Sequence, residues 1–210
     1  MISPDFGRVD YSADLQELLC LIPSRCPSLE HIEIDLAFSR PHQPIPWVLS
    51  KSSLSSCLAL RNLRVLDITL APRSYSPMFT DDELEQMAKA WPYLEKLCIK
   101  AYANGWALPT KFTLRGIVGL IKYCPKLLAF SLAFDARKIP ETNFTDIVRN
   151  RSIQSLDVAN SPISSAYQVA AYFRHIMPAL QNISTCATMN QLHKMMWDSV
   201  STFLSSPFFA

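Results

Sequence analysis

Apolar residues recur along the chain in one phrase, repeated with small changes. "CPSLEHIEI" (26–34), "WPYLEKLCI" (91–99) and "CPKLLAFSL" (124–132) share a single formula. It runs: a bulky residue, Pro, any residue, Leu, two free positions, an apolar residue, one free position, another apolar residue. Aligned on the first Leu, the apolar triplets are Leu29, Ile32, Ile34; Leu63, Leu66, Ile68; Leu94, Leu97, Ile99; Leu127, Phe130, Leu132; and Ile153, Leu156, Val158. A sixth copy supplies Leu180 and Ile183 and then frays. The anchors 29, 63, 94, 127, 153 and 180 lie 34, 31, 33, 26 and 27 residues apart. So regular a period marks an array of stacked units.

Within each copy the last two apolar residues sit two apart, so both point to one side of a short strand. The free positions point to the other side and form an open face. Upstream of the copies the spacing changes. Leu15, Leu18, Leu19, Ile22; Leu84, Met87, Ala88, Trp91; Leu114, Ile117, Val118, Ile121; and Val169, Tyr172, Phe173, Ile176 follow the 0, 3, 4, 7 pattern of a helix with one apolar face. Phe144, Ile147 and Val148 give a shorter version. "TDDE" (80–83) reads as a capping box, with Thr80 as N-cap and Glu83 reaching back. Thr113 and Ser12 occupy comparable starting points, and Pro23, Pro92, Pro125 and Pro178 are placed to stop the helices.

The order is therefore helix, proline stop, strand, loop, and again. Strands joined this way run parallel, with helices as crossovers. One unit cannot bury its apolar side alone, and stacking several creates a continuous core. The expected class is α/β: a solenoid of right-handed helix-strand coils, with a parallel sheet on the concave face and helices on the convex face. The units fill residues 12–185 as about six irregular repeats. A segment 1–11 precedes them, and a C-terminal helix and tail, 186–210, follow. In that helix Leu192, Met195, Met196, Val200 and Phe203 form the stripe expected to seal the last coil. The segment before Ser12 is short and polar, a poor cover for the first coil, which leaves a role there for a further domain, a partner or a second copy.

These residues resemble leucine-rich repeats. The long units and the "C-P-x-L-x-x-L-x-L" joint resemble the arrays of F-box proteins. "FTDDELEQMAKAWPYLEKLCI" (79–99) and "TLRGIVGLIKYCPKLLAFSL" (113–132) are similar to F-box and leucine-rich-repeat proteins of fungi. The resemblance implies a protein-binding module, the substrate-recognition part of a ubiquitin-ligase receptor. The repeats already begin near residue 12, which leaves no room ahead of them for the F-box. A ligase adaptor is an expected partner only if an F-box lies upstream. The other function readings are a free-standing repeat scaffold or enzyme regulator with no ubiquitin link, and an enzyme that uses the repeat as its platform.

The open-face positions are His31, Glu33, Asp35; Val65, Asp67, Thr69; Lys96, Cys98, Lys100; Ala129, Ser131, Ala133; and Ser155, Asp157, Ala159. The first two coils lean acidic, the third is basic and the fourth is small and neutral. A groove polarised in this way selects a partner with ordered charges. Candidate protein-binding residues on the face are Glu33, Asp35, Asp67, Lys96, Lys100 and Asp157. The edge loops 37–59, 71–79 and 101–112 interrupt the pattern, and the third adds Tyr102 and Trp106 as possible interface anchors.

Composition narrows the chemistry further. The chain has 210 residues, 49% hydrophobic and 18% charged, with a net charge of +2. No basic tract occurs, so no nucleic-acid partner is expected. No run reaches the roughly 18–20 apolar residues that cross a bilayer, and no membrane partner is expected. The N-terminus lacks the apolar stretch of a secretory signal, which makes the cytoplasm or nucleus the expected location. Cys20, Cys26, Cys57, Cys98, Cys124 and Cys186 show no C-x-x-C spacing and read as buried thiols. The three Asn-x-Ser/Thr matches, at Asn143, Asn150 and Asn182, then carry no sugar. With only four glycines, phosphate-cradling loops are disfavoured, and no P-loop, Gly-x-Ser-x-Gly elbow or His-Glu-x-x-His motif occurs. "GIVG" (116–119) lies on an apolar helix and reads as close helix packing. The four histidines are dispersed, and the acids of "FTDDELE" suit a helix start better than a metal. No catalytic residue, cofactor or metal is therefore expected.

Overall fold

The computed structural model describes residues 11–35, 51–70, 79–101, 111–141, 148–187 and 189–206. The chain is α/β, built on a six-stranded sheet whose strands are all parallel and follow chain order. The strands are β1 (His31–Asp35), β2 (Val65–Leu70), β3 (Lys96–Ala101), β4 (Ala129–Ser131), β5 (Ser155–Asp157) and β6 (Asn182–Ser184). The helices are α1 (Tyr11–Arg25), a short α2 (Lys51–Leu54), α3 (Asp81–Ala90), α4 (Leu114–Tyr123), α5 (Ala166–Ile176) and α6 (Gln191–Ser205), with a 3-10 turn at Ser56–Ala59.

The sequence period sets the register directly. Ile32, Leu66, Leu97, Phe130, Leu156 and Ile183 stand side by side across the sheet. These are the residues three beyond each anchor, and the first five are buried. They join the apolar helix residues in one continuous core. Arg25, Ala59, Ala90, Tyr123 and Ile176 each end a helix or 3-10 turn four residues before an anchor. The entry to each strand also repeats. The Glu30 carbonyl accepts from Arg64 N (2.7 Å) and Val65 N (3.0 Å), and the Arg64 carbonyl from Glu95 N (2.8 Å) and Lys96 N (3.0 Å). Every helix-strand unit thus satisfies the backbone of the next at the same place.

Local signals behave as their chemistry requires. Thr80 and Glu83 form the expected capping box, and the Thr113 hydroxyl accepts from Arg115 N at the start of α4. Ser165 caps α5 in the same way, accepting from Gln168 N. Gly116 and Gly119 let α4 lie against α3. A Cβ at Gly116 would fall 2.6 Å from Asp81 Oδ1, and one at Gly119 would fall 3.2 Å from Glu85 Cβ.

Several expectations need correction. Pro23 lies inside α1, which continues to Arg25, and Ser12 is a helical residue. Pro23 has no N–H for the Leu19 carbonyl, which instead accepts from the Cys57 thiol at 3.7 Å. The helix ends at Arg25, just ahead of Cys26-Pro27, at the joint used by the other copies. Leu18 is half exposed, because Leu19 takes the inward position. Among 144–148 only Val148 is described; it is exposed and not helical, and Phe144 and Ile147 lie outside the described residues.

The α6 stripe is rotated from the expected one. Of the expected stripe, Val200 is buried and Met196 and Phe203 pack against the core, but Leu192 and Met195 are 64% and 58% exposed, and Trp197, outside the expected stripe, is buried. Trp197 turns the helix, because its indole is the largest apolar group available. It stacks on Phe173 with centroids 6.1 Å apart and donates from Nε1 to the Ser161 carbonyl at 2.9 Å. Trp91 makes the matching bond to the Cys57 carbonyl at 3.0 Å. Arg174 then closes the end of α6 by donating to the carbonyls of Phe203, Leu204 and Ser206.

The cysteine expectation holds for Cys57, Cys98 and Cys124, which are buried. Cys20, on α1, and Cys26, in the turn after it, are exposed, and Cys186 is half-buried. None of the six is joined in a disulfide among the described residues. Among the described residues no helix is long and apolar enough to cross a membrane.

Candidate functional site

The face of the sheet turned away from the core carries the candidate residues in two rows. The first is His31, Val65, Lys96, Ala129, Ser155 and Asn182; the second is Glu33, Asp67, Cys98, Ser131, Asp157 and Ser184. Asp35, Thr69 and Lys100 form a third, shorter row on the longer strands. Glu33 and Asp35 are exposed on β1, and Lys96 is exposed on β3. Asp67, Lys100 and Asp157 are half-buried. Tyr102 and Trp106 lie outside the described residues.

The face is less open than alternation alone implies. Thr69, Cys98, Ser131, Ala133 and Ala159 are buried. For Ala133 and Ala159 the cause is local: β4 and β5 stop after three residues and the chain folds into packed turns. Phe134 N donates to Ser161 Oγ at 2.9 Å, and Ala136 pairs with Ile163 in an isolated bridge. Ala159 adopts φ 49, in the left-handed region. Its N–H donates to Asp157 Oδ1 at 2.9 Å, which fixes that carboxylate at the C-terminal end of β5.

The charged groups fall into an order. Lys96 Nζ donates to Asp67 Oδ2 at 2.7 Å across the β2–β3 pair. Partial burial opposes ionisation of Asp67. The bonds from Lys96 and the Cys98 thiol, with the charges of Lys96 and Lys100, outweigh it and hold the carboxyl below its usual range. The same bond holds Lys96 above the usual lysine range against its own partial burial. Burial pushes the Cys98 thiol up to about 12, reinforced by the Asp67 charge, so it stays protonated and serves as a donor. Lys100, four residues along β3 from Lys96, forms no hydrogen bond or ion pair among the described residues.

A hollow of about 250 Å³ opens across the face from Asp67 on β2 to Asn182 and Ser184 on β6. Lys96 and Lys100 stand at one flank, Asp157 and Asn182 at the other, with Ala129, Ser131 and Ser155 between them. The structure therefore brings Asp67, Lys96, Lys100 and Asp157 to one depression, with Glu33 and Asp35 two strands away from Lys96 and Lys100. Asn182 and Ser184 escape sequence reasoning, because the sixth copy loses its last apolar residue; its register two and four beyond Leu180 is the signal that finds them.

Chemically the hollow can hold an ordered set of charges. Among the described residues no group of three His, Cys, Asp or Glu side chains converges as a metal site. No protein-family model matches the chain, and no curated protein matches it.

Proposed function

We propose that the chain is a leucine-rich-repeat solenoid whose exposed sheet face binds another protein. The near-constant anchor period, the chain-order parallel sheet and the recurring joint before each strand support the repeat reading. In that reading the coils are right-handed, the sheet lines the concave wall and the helices the convex one. Such walls are the surfaces that stacked repeats present to partners. The observation that carries the functional reading is the charge order across the face: acidic Glu33 and Asp35 on β1, basic Lys96 and Lys100 on β3, and acidic Asp157 on β5.

The resemblance of 79–99 and 113–132 to F-box and leucine-rich-repeat proteins supports a narrower role. The bound protein is then a substrate held for ubiquitin transfer, and a ligase adaptor is a partner only where an F-box accompanies the repeats. In that role the repeats supply recognition and no bond-making chemistry.

Site-specific photo-crosslinking tests the binding face. A crosslinker placed at Ser155, on the sheet, is expected to trap a partner that one placed at Gln168, an exposed position on α5, does not. The trapped protein should then bind the purified chain, and Lys100→Glu should weaken that binding. Equal trapping from both positions, or a partner trapped only from Gln168, overturns the assignment.

A further inference from the structure

The charges around the hollow have a spacing as well as an order. Lys96 and Lys100 lie two residues before and two after Cys98 on β3. Their midpoint therefore falls on the row that Cys98 shares with Ser131 and Asp157. Asp157 is two strands away on that row. Neighbouring strands are about 4.8 Å apart, so the positive and negative poles are separated by roughly 10 Å. Between them the face is floored by Ala129 and Ser131, which raise no bulky side chain.

Both poles have capacity for a ligand. Lys96 is partly neutralised by Asp67, but Lys100 adds a second positive charge beside a single carboxylate. Asp157 uses Oδ1 to hold Ala159 N, and its other oxygen makes no bond among the described residues. The hollow, at about 250 Å³, accepts a few side chains but not a helix about 10–12 Å across.

Of the extended conformations, only one brings charges about 10 Å apart onto the same side. In a β-strand, residues three apart point to opposite faces. In the polyproline II helix, with three residues per turn and a rise of about 3.1 Å, residues three apart share a face at roughly 9 Å. We propose that the hollow binds a polyproline-II segment carrying an acidic and a basic side chain three residues apart, the acidic one at Lys96 and Lys100 and the basic one at Asp157. The segment crosses the strands and can run in either chain direction. This inference rests on the sheet face being the binding surface, and it specifies what that surface selects.

Fluorescence anisotropy on short labelled peptides tests it. Proline-rich peptides carrying one Glu and one Lys at separations of two, three and four residues are titrated against the full chain. A further peptide of separation three carries two Lys. The Glu-Lys peptide of separation three is expected to bind at least about fivefold tighter than the other separations, with the difference shrinking in high salt. Lys100→Glu, with an unchanged circular-dichroism spectrum, is expected to switch preference to the Lys-Lys peptide. Equal binding at all separations, or no switch with Lys100→Glu, overturns the inference while leaving the face as a binding surface. Absence of binding by every peptide, with a purified partner still trapped through Ser155, likewise overturns it alone. If no partner is trapped through Ser155 either, both readings fall.

Discussion

Asp81 holds the start of the next helix: its carboxylate accepts from Thr113 N at 2.8 Å and from the Thr113 hydroxyl at 2.6 Å. Asp81 is the first residue of α3, and Thr113 caps α4. α3 and α4 are thus tied at their N-termini as well as through the strands that follow them. Gly116 leaves the room, because a Cβ there would meet the same Asp81 oxygen.

Replacing Gly116 by Ala gains helix propensity of about 1 kcal/mol but displaces a carboxylate held by Thr113. The expected net effect in urea denaturation is a loss of about 1–3 kcal/mol. Asp81→Ala alone is expected to cost about 1–2 kcal/mol. The double variant should fall short of the sum, because both changes remove the same contact.

Tyr172 presents a different case. Its ring is buried against the core, and its hydroxyl has no hydrogen-bond partner among the described residues. Burial pushes the phenol up to about 12, so it is neutral at ordinary pH. Tyr172→Phe removes an unsatisfied oxygen without changing the packing. It is expected to raise the unfolding free energy by about 1 kcal/mol in the same assay. A loss of stability would show that the hydroxyl is satisfied.

Acid should weaken the fold through Asp67 and Asp135, both held below the usual carboxylate range. For Asp67, bonds from Lys96 and Cys98 overcome partial burial; for Asp135, the Arg137 bond leads. A depressed native pKa means the unfolded chain takes up protons first. The stabilisation is full above the unfolded value, near 4, and is lost as pH falls from there through the native value. Asp67→Asn is expected to flatten the decline in melting temperature between about pH 5 and pH 3. An unchanged slope would remove Asp67 from the account.

Thiol labelling reads the packing of the helices on the sheet. Burial raises Cys57 to about 11, and Cys98 and Cys124 to about 12, whereas Cys20 and Cys26 are exposed. An alkylating reagent at pH 8 should modify Cys20 and Cys26 in the native protein and the three buried thiols only after unfolding. Mass spectrometry of the digested protein distinguishes the two sets. Rapid native labelling of Cys124 would contradict the tight joint where its thiol meets the Ala88 and Trp91 carbonyls at 3.6 Å.

Much of the fold was legible because one phrase does one job. The residues three beyond each anchor are apolar in all six copies, and the sheet aligns them without a slip. Thr80 and Thr113 were readable for the same reason, since a cap is chemistry within one turn. The errors arose where a distant residue decides. Pro23 is tolerated because Cys57, from the 3-10 turn at Ser56–Ala59, serves the carbonyl it deprives. The rotation of α6 follows from where Phe173 and Ser161 receive Trp197, which spacing along one helix cannot express. At the site, alternation placed the charged residues on the right face. It did not show that Cys98 and Ser131 are shut in, because that depends on neighbours across the strands.

The most direct measurement is amide chemical-shift mapping of the isotope-labelled chain, titrated with the Glu-Lys peptide of separation three. The account predicts saturable shifts at Lys96–Lys100, Ala129–Ser131 and Ser155–Asp157, with α3 and α5 unmoved. Saturable binding that shifts the exposed residues of α3 or α5 and leaves those strands unchanged would contradict it.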